Sequence, residues 1–122
     1  QAEAKNIFED VQKAGSVSYI TYQTKNQDMN ALRQLADQWR QKESSDVFVT
    51  AADVDGKVSL LVAVADEKVK AGLKAGDIIK AIAGHIGGGG GGRPNLAQAG
   101  GKKPEGIPAA LSEVGKWLEE NS

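Results

Sequence analysis

Apolar residues recur at helical spacing in four parts of the chain. Residues 3–14 carry the first stripe, and Gly15 after it predicts the end of a helix. Further helices are predicted over Asp28–Lys42, with Asp28 as its cap, over Lys74–Ile86, and from Pro108 to about Glu120. The apolar positions of the four stripes are Ala4, Ile7, Phe8 and Val11; Leu32, Leu35, Ala36 and Trp39; Ala75, Ile78, Ile79, Ile82, Ala83 and Ile86; and Leu111, Val114 and Leu118.

Runs of β-branched and aromatic residues predict strands between these helices. Val17–Thr24 is the first, and Val47–Val54 and Lys57–Ala65 form a hairpin around Asp55-Gly56, a strong turn dipeptide. Asn95–Ala99 is predicted to be a short edge strand. The fold class is therefore α/β (α+β): a small mixed sheet of about four strands with helices packed on it, preceded by the tail of a long helix.

A chain of 122 residues has room for one real core. We expect residues 1–15 to be the end of a helical arm and residues 16–122 to be one globular domain built around a glycine loop. The chain begins with Gln1 rather than Met, which suggests a piece of a longer polypeptide. The longest apolar run, Val58–Ala65, is too short to span a bilayer, so no membrane partner is expected. The absence of cysteine fits a cytoplasmic protein.

The net charge of −1 conceals a strong asymmetry along the chain. Residues 68–103 contain seven Lys and Arg but one acid, Asp77, whereas the rest of the chain holds eight basic and fifteen acidic residues. A basic third in an otherwise acidic chain predicts an anionic ligand, and charge alone leaves RNA, DNA and small anions open.

Six consecutive glycines, Gly87–Gly92, lie inside this basic third and are followed by Arg93-Pro94. Ordering a glycine run costs conformational entropy, so such a run indicates either close backbone approach to a ligand or a mobile connection. It follows a predicted helix rather than preceding one, and it lacks Gly-Lys-Ser/Thr, so a P-loop is a poor match. The glycines would instead form a concave nest of N–H groups, with Arg93 supplying charge. A flexible connection of no chemical importance is the alternative.

Neither a metal site nor a catalytic site is expected. His85 is the one histidine, no cysteine is present, and no carboxylate cluster lies near His85 in the sequence. At the end of a predicted helix, its imidazolium is simply stabilised by the helix dipole. We therefore predict no catalytic residues, no metal ligands and no cofactor in this chain.

The segment from Gly87 to Gly101, GGGGGGRPNLAQAGG, resembles the C-terminal domain of alanyl-tRNA synthetase. The same type of module occurs beside Asp-His-His phosphoesterase domains. The resemblance extends through Asp28–Asp37 (DMNALRQLAD), Gly56–Ala63 (GKVSLLVA) and Lys70–Gly76 (KAGLKAG), and it covers about residues 17–120.

The resemblance implies a tRNA-binding accessory domain with no catalytic activity of its own, within an alanine–tRNA ligase. In that family the domain grips the outer corner of tRNA, so the partners implied are tRNA and the aminoacylation and editing domains of the parent chain. The candidate RNA-binding residues are Gly87, Gly88, Gly89, Gly90, Gly91, Gly92, Arg93, Asn95, Gln98, Lys102 and Lys103. A solvated lysine pair remains the alternative for Lys102 and Lys103.

Two other hypotheses stay open on the sequence. The chain would be the substrate-binding module of an Asp-His-His phosphoesterase acting on oligonucleotides, with its metal ligands on a separate domain. A structural alternative makes the opening helix an oligomerisation element through which a homodimer forms.

Overall fold

A six-stranded sheet with the strand order β1-β2-β3-β4-β6-β5 forms the centre of the computed structural model, which describes residues 11–42 and 45–121. The strands are β1 (Gln12–Ala14), β2 (Val17–Lys25), β3 (Val47–Val54), β4 (Lys57–Val64), β5 (Gly89–Gly92) and β6 (Leu96–Gly101). The helices are α1 (Met29–Lys42), α2 (Asp66–Lys70), α3 (Ala75–Ile82) and α4 (Ile107–Asn121). The mixed α+β class is confirmed, with six strands in the described part rather than about four.

The first half of the domain is a βαβ unit followed by a hairpin. Strands β2 and β3 are parallel, and α1 crosses between them. The carboxylate of Asp28 accepts a hydrogen bond from the backbone N–H of Ala31 at 3.0 Å, so the predicted helix cap is confirmed. Asp55 and Gly56 take positive φ values of 52° and 80°, as a two-residue turn joining β3 and β4 requires.

Helices cover both faces of the sheet, and each face carries its own apolar cluster. On one face, α3 and α4 pack residues such as Ile78 and Val114 against the sheet. On the other face, α1 lies over β3 and β4, and Trp39 stacks on Phe48 with ring centroids 6.0 Å apart. No helix in residues 11–42 and 45–121 is long and apolar enough to cross a bilayer.

The helix predicted over residues 3–14 is wrong where the structure describes it. Gln12–Ala14 form strand β1, which pairs antiparallel with β2 through a turn at Gly15 (φ 63°). A left-handed glycine serves a helix end and a tight hairpin equally well, which is why the sequence pattern misled. Residues 1–10 lie outside the described residues, so the division into an arm (1–15) and a domain (16–122) stays a prediction.

The glycine loop and the short edge strand also need correction. Gly89–Gly92 form strand β5 at the sheet edge, and the expected strand at Asn95–Ala99 runs over Leu96–Gly101 between β4 and β5. The predicted helix over Lys74–Ile86 consists of α3 followed by a 3-10 turn at Ala83–Ile86. Glycine has low strand propensity, so only the pairing with β6 reveals this strand.

Tyr19 of β2 packs against α4, on the face of the sheet that α3 and α4 cover. Its hydroxyl donates to Oε1 of Gln12 at 3.3 Å, and burial, together with the charge of Glu119, raises its pKa. A Cβ at Gly115 would lie 2.5 Å from the Tyr19 oxygen, so a larger residue at that position of α4 would require the Tyr19 side chain to shift.

Removing each of two buried hydroxyl groups should change the stability of the domain in opposite directions. Ser45 accepts from the Trp39 indole N–H at 2.8 Å and donates to the Val47 carbonyl, whereas the Thr50 hydroxyl has no hydrogen-bond partner among the described residues. We expect Ser45→Ala to lower the free energy of unfolding by about 1–3 kcal/mol and Thr50→Val to raise it by about 1 kcal/mol. Urea denaturation of both variants beside the wild-type chain measures these changes, and a destabilised Thr50→Val variant would contradict the assignment.

Candidate nucleic-acid interface

The glycine run is a structured edge strand whose entry and exit are fixed by backbone contacts. Gly87 ends the 3-10 turn in the left-handed region (φ 68°), and the Gly88 N–H donates to the Ala83 carbonyl at 3.3 Å. Strand β5 then pairs antiparallel with β6, with Gly91 opposite Gln98 and Gly89 opposite Gly100. The run is therefore held in one place, and the nest of N–H groups expected from the sequence is replaced by a strand ladder.

Alternate glycines of this run meet different surroundings. A Cβ added at Gly88 or Gly90 would overlap the backbone carbonyl of β6, and one at Gly92 would lie 2.7 Å from the Ala97 Cα. By contrast, a Cβ at Gly89 or Gly91 meets no described atom within 4 Å, and neither residue has a positive φ. The fold therefore requires glycine at the crowded positions but not at Gly89 and Gly91.

We define the glycine ledge as the open face of β5 at Gly89 and Gly91. Directly opposed residues of antiparallel strands share a face, so the ledge lies on the same side of the sheet as Gln98 and α1. Helix α3 packs on the other side, where a Cβ at Gly76 would lie 3.6 Å from the Gly92 carbonyl oxygen. Gly89 is exposed and Gly91 is partly exposed, so a ligand can reach the main chain.

Arg93 lies at one end of the ledge, in the turn between β5 and β6. Its backbone N–H donates to the Leu96 carbonyl at 2.9 Å, and its carbonyl accepts from the Leu96 N–H. The Pro94 carbonyl in the same turn accepts from the first N–H of α3, Ala75, at 2.7 Å. The backbone of this turn is thus fixed, while the Arg93 side chain is exposed.

Lys102 and Lys103 lie at the other end of the ledge. Both backbone N–H groups donate to the Ile86 carbonyl at 2.9 Å, which holds the lysine pair beside the start of the glycine run. A Cβ at Gly87 would lie 2.9 Å from Cγ of Lys103, so the lysine side chain crosses that glycine. Within the described residues, neither lysine nor Arg93 forms an ion pair with a carboxylate.

Asn95 and Gln98 complete the predicted set. The Asn95 carbonyl accepts from the Val64 N–H at 3.0 Å and from Nη2 of Arg40 at 2.6 Å, so its backbone anchors the hairpin to β4 and α1. Gln98 stands on the ledge side of β6 and is partly exposed. The structure therefore brings all the predicted residues together on the β5–β6 hairpin and the residues flanking it.

Arg33 joins this site, although the sequence pattern does not predict it. Its Nε and Nη2 atoms donate to Oε1 of Gln98 at 3.2 and 2.8 Å. The helical repeat places Arg33 and Arg40 seven residues apart on one face of α1, but only the structure shows that the Arg33 side chain reaches Gln98 of β6.

Two clefts and one histidine differ from the ledge in their chemistry. A groove of about 240 Å³ between α3 and β5 is lined by Lys74 and Lys80 as well as Asp77. A larger cleft, of about 460 Å³, has Asp46 among its three acidic residues and so suits an anion poorly. His85 lies 3.8 Å from Glu113 across solvent-exposed surface, and the described residues contain no group of three His, Asp or Glu that could hold a metal.

A protein-family model and the sequences of known enzymes match almost the whole chain. The DHHA1 domain model matches residues 16–120. Alanine–tRNA ligase of Latilactobacillus sakei is 56% identical over 118 residues, and that of Lactiplantibacillus plantarum is 54% identical over 118 residues. Each match covers 97% of this chain but 13% of the relative, so the chain spans about an eighth of the length of these ligases.

Solved structures show the same fold. The C-Ala domain of alanyl-tRNA synthetase from Aquifex aeolicus matches with a TM-score of 0.82 and 29% identity, covering 90% of this chain and 98% of that one. A DHH domain protein, described as a member of a family of ribosomal proteins, matches with a TM-score of 0.53 at 15% identity. That match covers 92% of this chain and 29% of the other and shows the fold alone. The resemblance stated from the sequence is confirmed, and the chain belongs to the DHHA1 domain family.

Proposed function

We propose that this chain is the tRNA-binding accessory domain of an alanine–tRNA ligase and that its glycine ledge receives the outer corner of tRNA. The observation that carries the proposal is the side-chain-free face at Gly89, which is exposed, and Gly91, which is partly exposed. Cations that have no ion-pair partner among the described residues flank this face at both ends. In this proposal the aminoacylation and editing domains lie elsewhere in a cytoplasmic parent enzyme and act on the tRNA held here.

The open glycines support this function because packing does not demand them. The methyl group of an alanine would fit at either position, yet glycine occupies both. Bare main chain lets a flat base or base pair approach closely, while backbone N–H and C=O groups remain available for hydrogen bonds. Recognition of this kind depends on the shape of a folded RNA rather than on its sequence.

The flanking cations supply the electrostatic part of the affinity. A strand of four residues is about 13 Å long, which exceeds the Debye length of about 10 Å at 0.1 M salt. Arg93 at one end and the lysine pair at the other therefore act as separate phosphate contacts. Lys74 and Lys80 line the groove between α3 and β5, on the face opposite the ledge, and add to the positive potential around this edge strand.

The phosphoesterase alternative receives less support. The ligase relatives match at 54–56% identity, whereas the DHH neighbour matches at 15% and shares the fold alone. A homodimer through the opening helix rests on residues 1–10, outside the described part.

Reversing the charge at Arg93 should weaken tRNA binding at least about tenfold. The log–log dependence of affinity on salt should have a slope of about −2 to −3 in the wild-type chain and lose about one unit in Arg93→Glu. Filter binding at several salt concentrations measures both. Lys13→Glu makes the same charge change on β1, at the far edge of the sheet, and should bind like the wild type. Equal affinities for wild type and Arg93→Glu would refute the proposed contact.

Two tRNAs of different amino-acid identity should bind with affinities within about twofold of each other, because the outer corner carries little identity information and shape recognition is tolerant of sequence. Competition between alanine tRNA and one other tRNA at a single salt concentration tests this. Strong preference for alanine tRNA would indicate contacts outside the corner.

Adjacent glycine substitutions separate folding from binding. Gly91→Ala places a methyl group on the open ledge, so we expect unchanged or slightly higher stability and at least about fivefold weaker tRNA binding. Gly90→Ala, the matched control, drives its methyl group into the Gln98 carbonyl and should lower the free energy of unfolding. Thermal denaturation and filter binding are measured on both variants. A Gly91→Ala variant that binds tRNA normally would exclude the ledge as the contact.

A further inference from the structure

The contact between Arg33 and Gln98 fixes the orientation of a side-chain amide. Two of the guanidinium nitrogens of Arg33, Nε and Nη2, donate to the same side-chain oxygen of Gln98, at 3.2 and 2.8 Å. A guanidinium group has donors and no acceptor, so the amide nitrogen of Gln98 cannot take the place of its oxygen. The flipped orientation of Gln98 is therefore disfavoured, and its NH₂ group is directed away from Arg33.

This amide stands beside the two open glycines. Gln98 is opposite Gly91 in β5 and opposite Leu61 in β4, so it projects from the same face as the ledge. No hydrogen bond joins the Gln98 NH₂ group to another described residue, and the side chain is partly exposed. The site thus presents two amide N–H donors beside the side-chain-free glycine ledge.

We propose that Arg33 is a positioning residue: it holds the carbonyl end of Gln98 so that the amide donates to an uncharged hydrogen-bond acceptor of the nucleotide resting on Gly89 and Gly91. The proposal rests on the proposed RNA-binding function and adds a polar recognition element to the ledge. In this arrangement Arg33 does not touch RNA, and its positive charge is not the property that matters.

Two simpler roles for Arg33 make different predictions. As a direct phosphate contact, Arg33 would be replaceable by lysine with most of the affinity retained, and its loss would reduce the salt dependence. As a tie between α1 and β6, it would affect stability, and Gln98→Glu would preserve the tie as an ion pair. As a positioning residue, it needs the two-donor fork of arginine, which lysine lacks.

The test measures tRNA affinity of the full chain at several salt concentrations and its stability in urea. Arg33→Ala and Arg33→Lys should each weaken binding about five- to tenfold with the salt slope unchanged. Gln98→Glu should weaken binding at least as much while stability is retained, because a carboxylate keeps Arg33 but cannot donate. Lys42→Ala, which removes a charge from an exposed position of the same helix, should bind like the wild type.

The double variant Arg33→Ala/Gln98→Ala provides the decisive comparison. If Arg33 acts through Gln98, the double variant binds within about twofold of Gln98→Ala alone, since the two effects are not additive. Additive losses, near-normal binding by Arg33→Lys, or normal binding by Gln98→Glu would each overturn the proposal. Failure of the RNA-binding function itself looks different, because Arg93→Glu would then also leave the affinity unchanged.

Discussion

The close pairing of β5 with β6 is the constraint on which the rest of the site depends. At Gly88, Gly90 and Gly92 the backbone of β6 or its turn occupies the space that a side chain would need. The glycine run would otherwise be a flexible connection, but four of its six residues, Gly89–Gly92, are thereby held as a strand. The entropy lost on ordering them is offset by ladder hydrogen bonds and by packing against α3. A rigid edge is the consequence, and a rigid edge can present a defined surface.

The same pairing separates two reasons for glycine along one run. Alternate positions face the neighbouring backbone and are glycine because the fold leaves no room, whereas Gly89 and Gly91 face open space. Glycine at these two surface positions lowers the free energy of unfolding relative to alanine, because alanine would reduce the conformational entropy of the unfolded chain. Packing gives no reason for glycine there. The proposed RNA contact, in which a ligand approaches the main chain, would supply the missing reason.

Local sequence patterns predicted the elements that local chemistry determines. The α1 helix follows from its apolar spacing and its Asp28 cap, and the β3–β4 hairpin from Asp55-Gly56. Strand β5 could not be predicted in this way, because glycine has no preference for strands. These four glycines form a strand only because they pair with β6. For the same reason Arg33 could not be assigned to the site from the sequence. Its contact with Gln98 depends on β6 lying next to β4 in the sheet, and that is a property of the topology.

The uneven distribution of charge along the chain bears on how an anionic ligand would approach the glycine ledge. Residues 68–103, which include β5 and all of β6, carry seven basic residues against one acid, while the remainder of the chain is acidic. A polyanion would therefore be attracted to the part of the domain that includes the β5–β6 hairpin more than to the acidic remainder. Arg33 lies outside this basic segment, in the acidic part of the chain. In the proposed role its two hydrogen-bond donors matter because they orient Gln98, whereas its charge adds little to that of the basic segment. Charge would thus direct the RNA to the ledge, and the fixed amide and bare main chain would determine how it rests there.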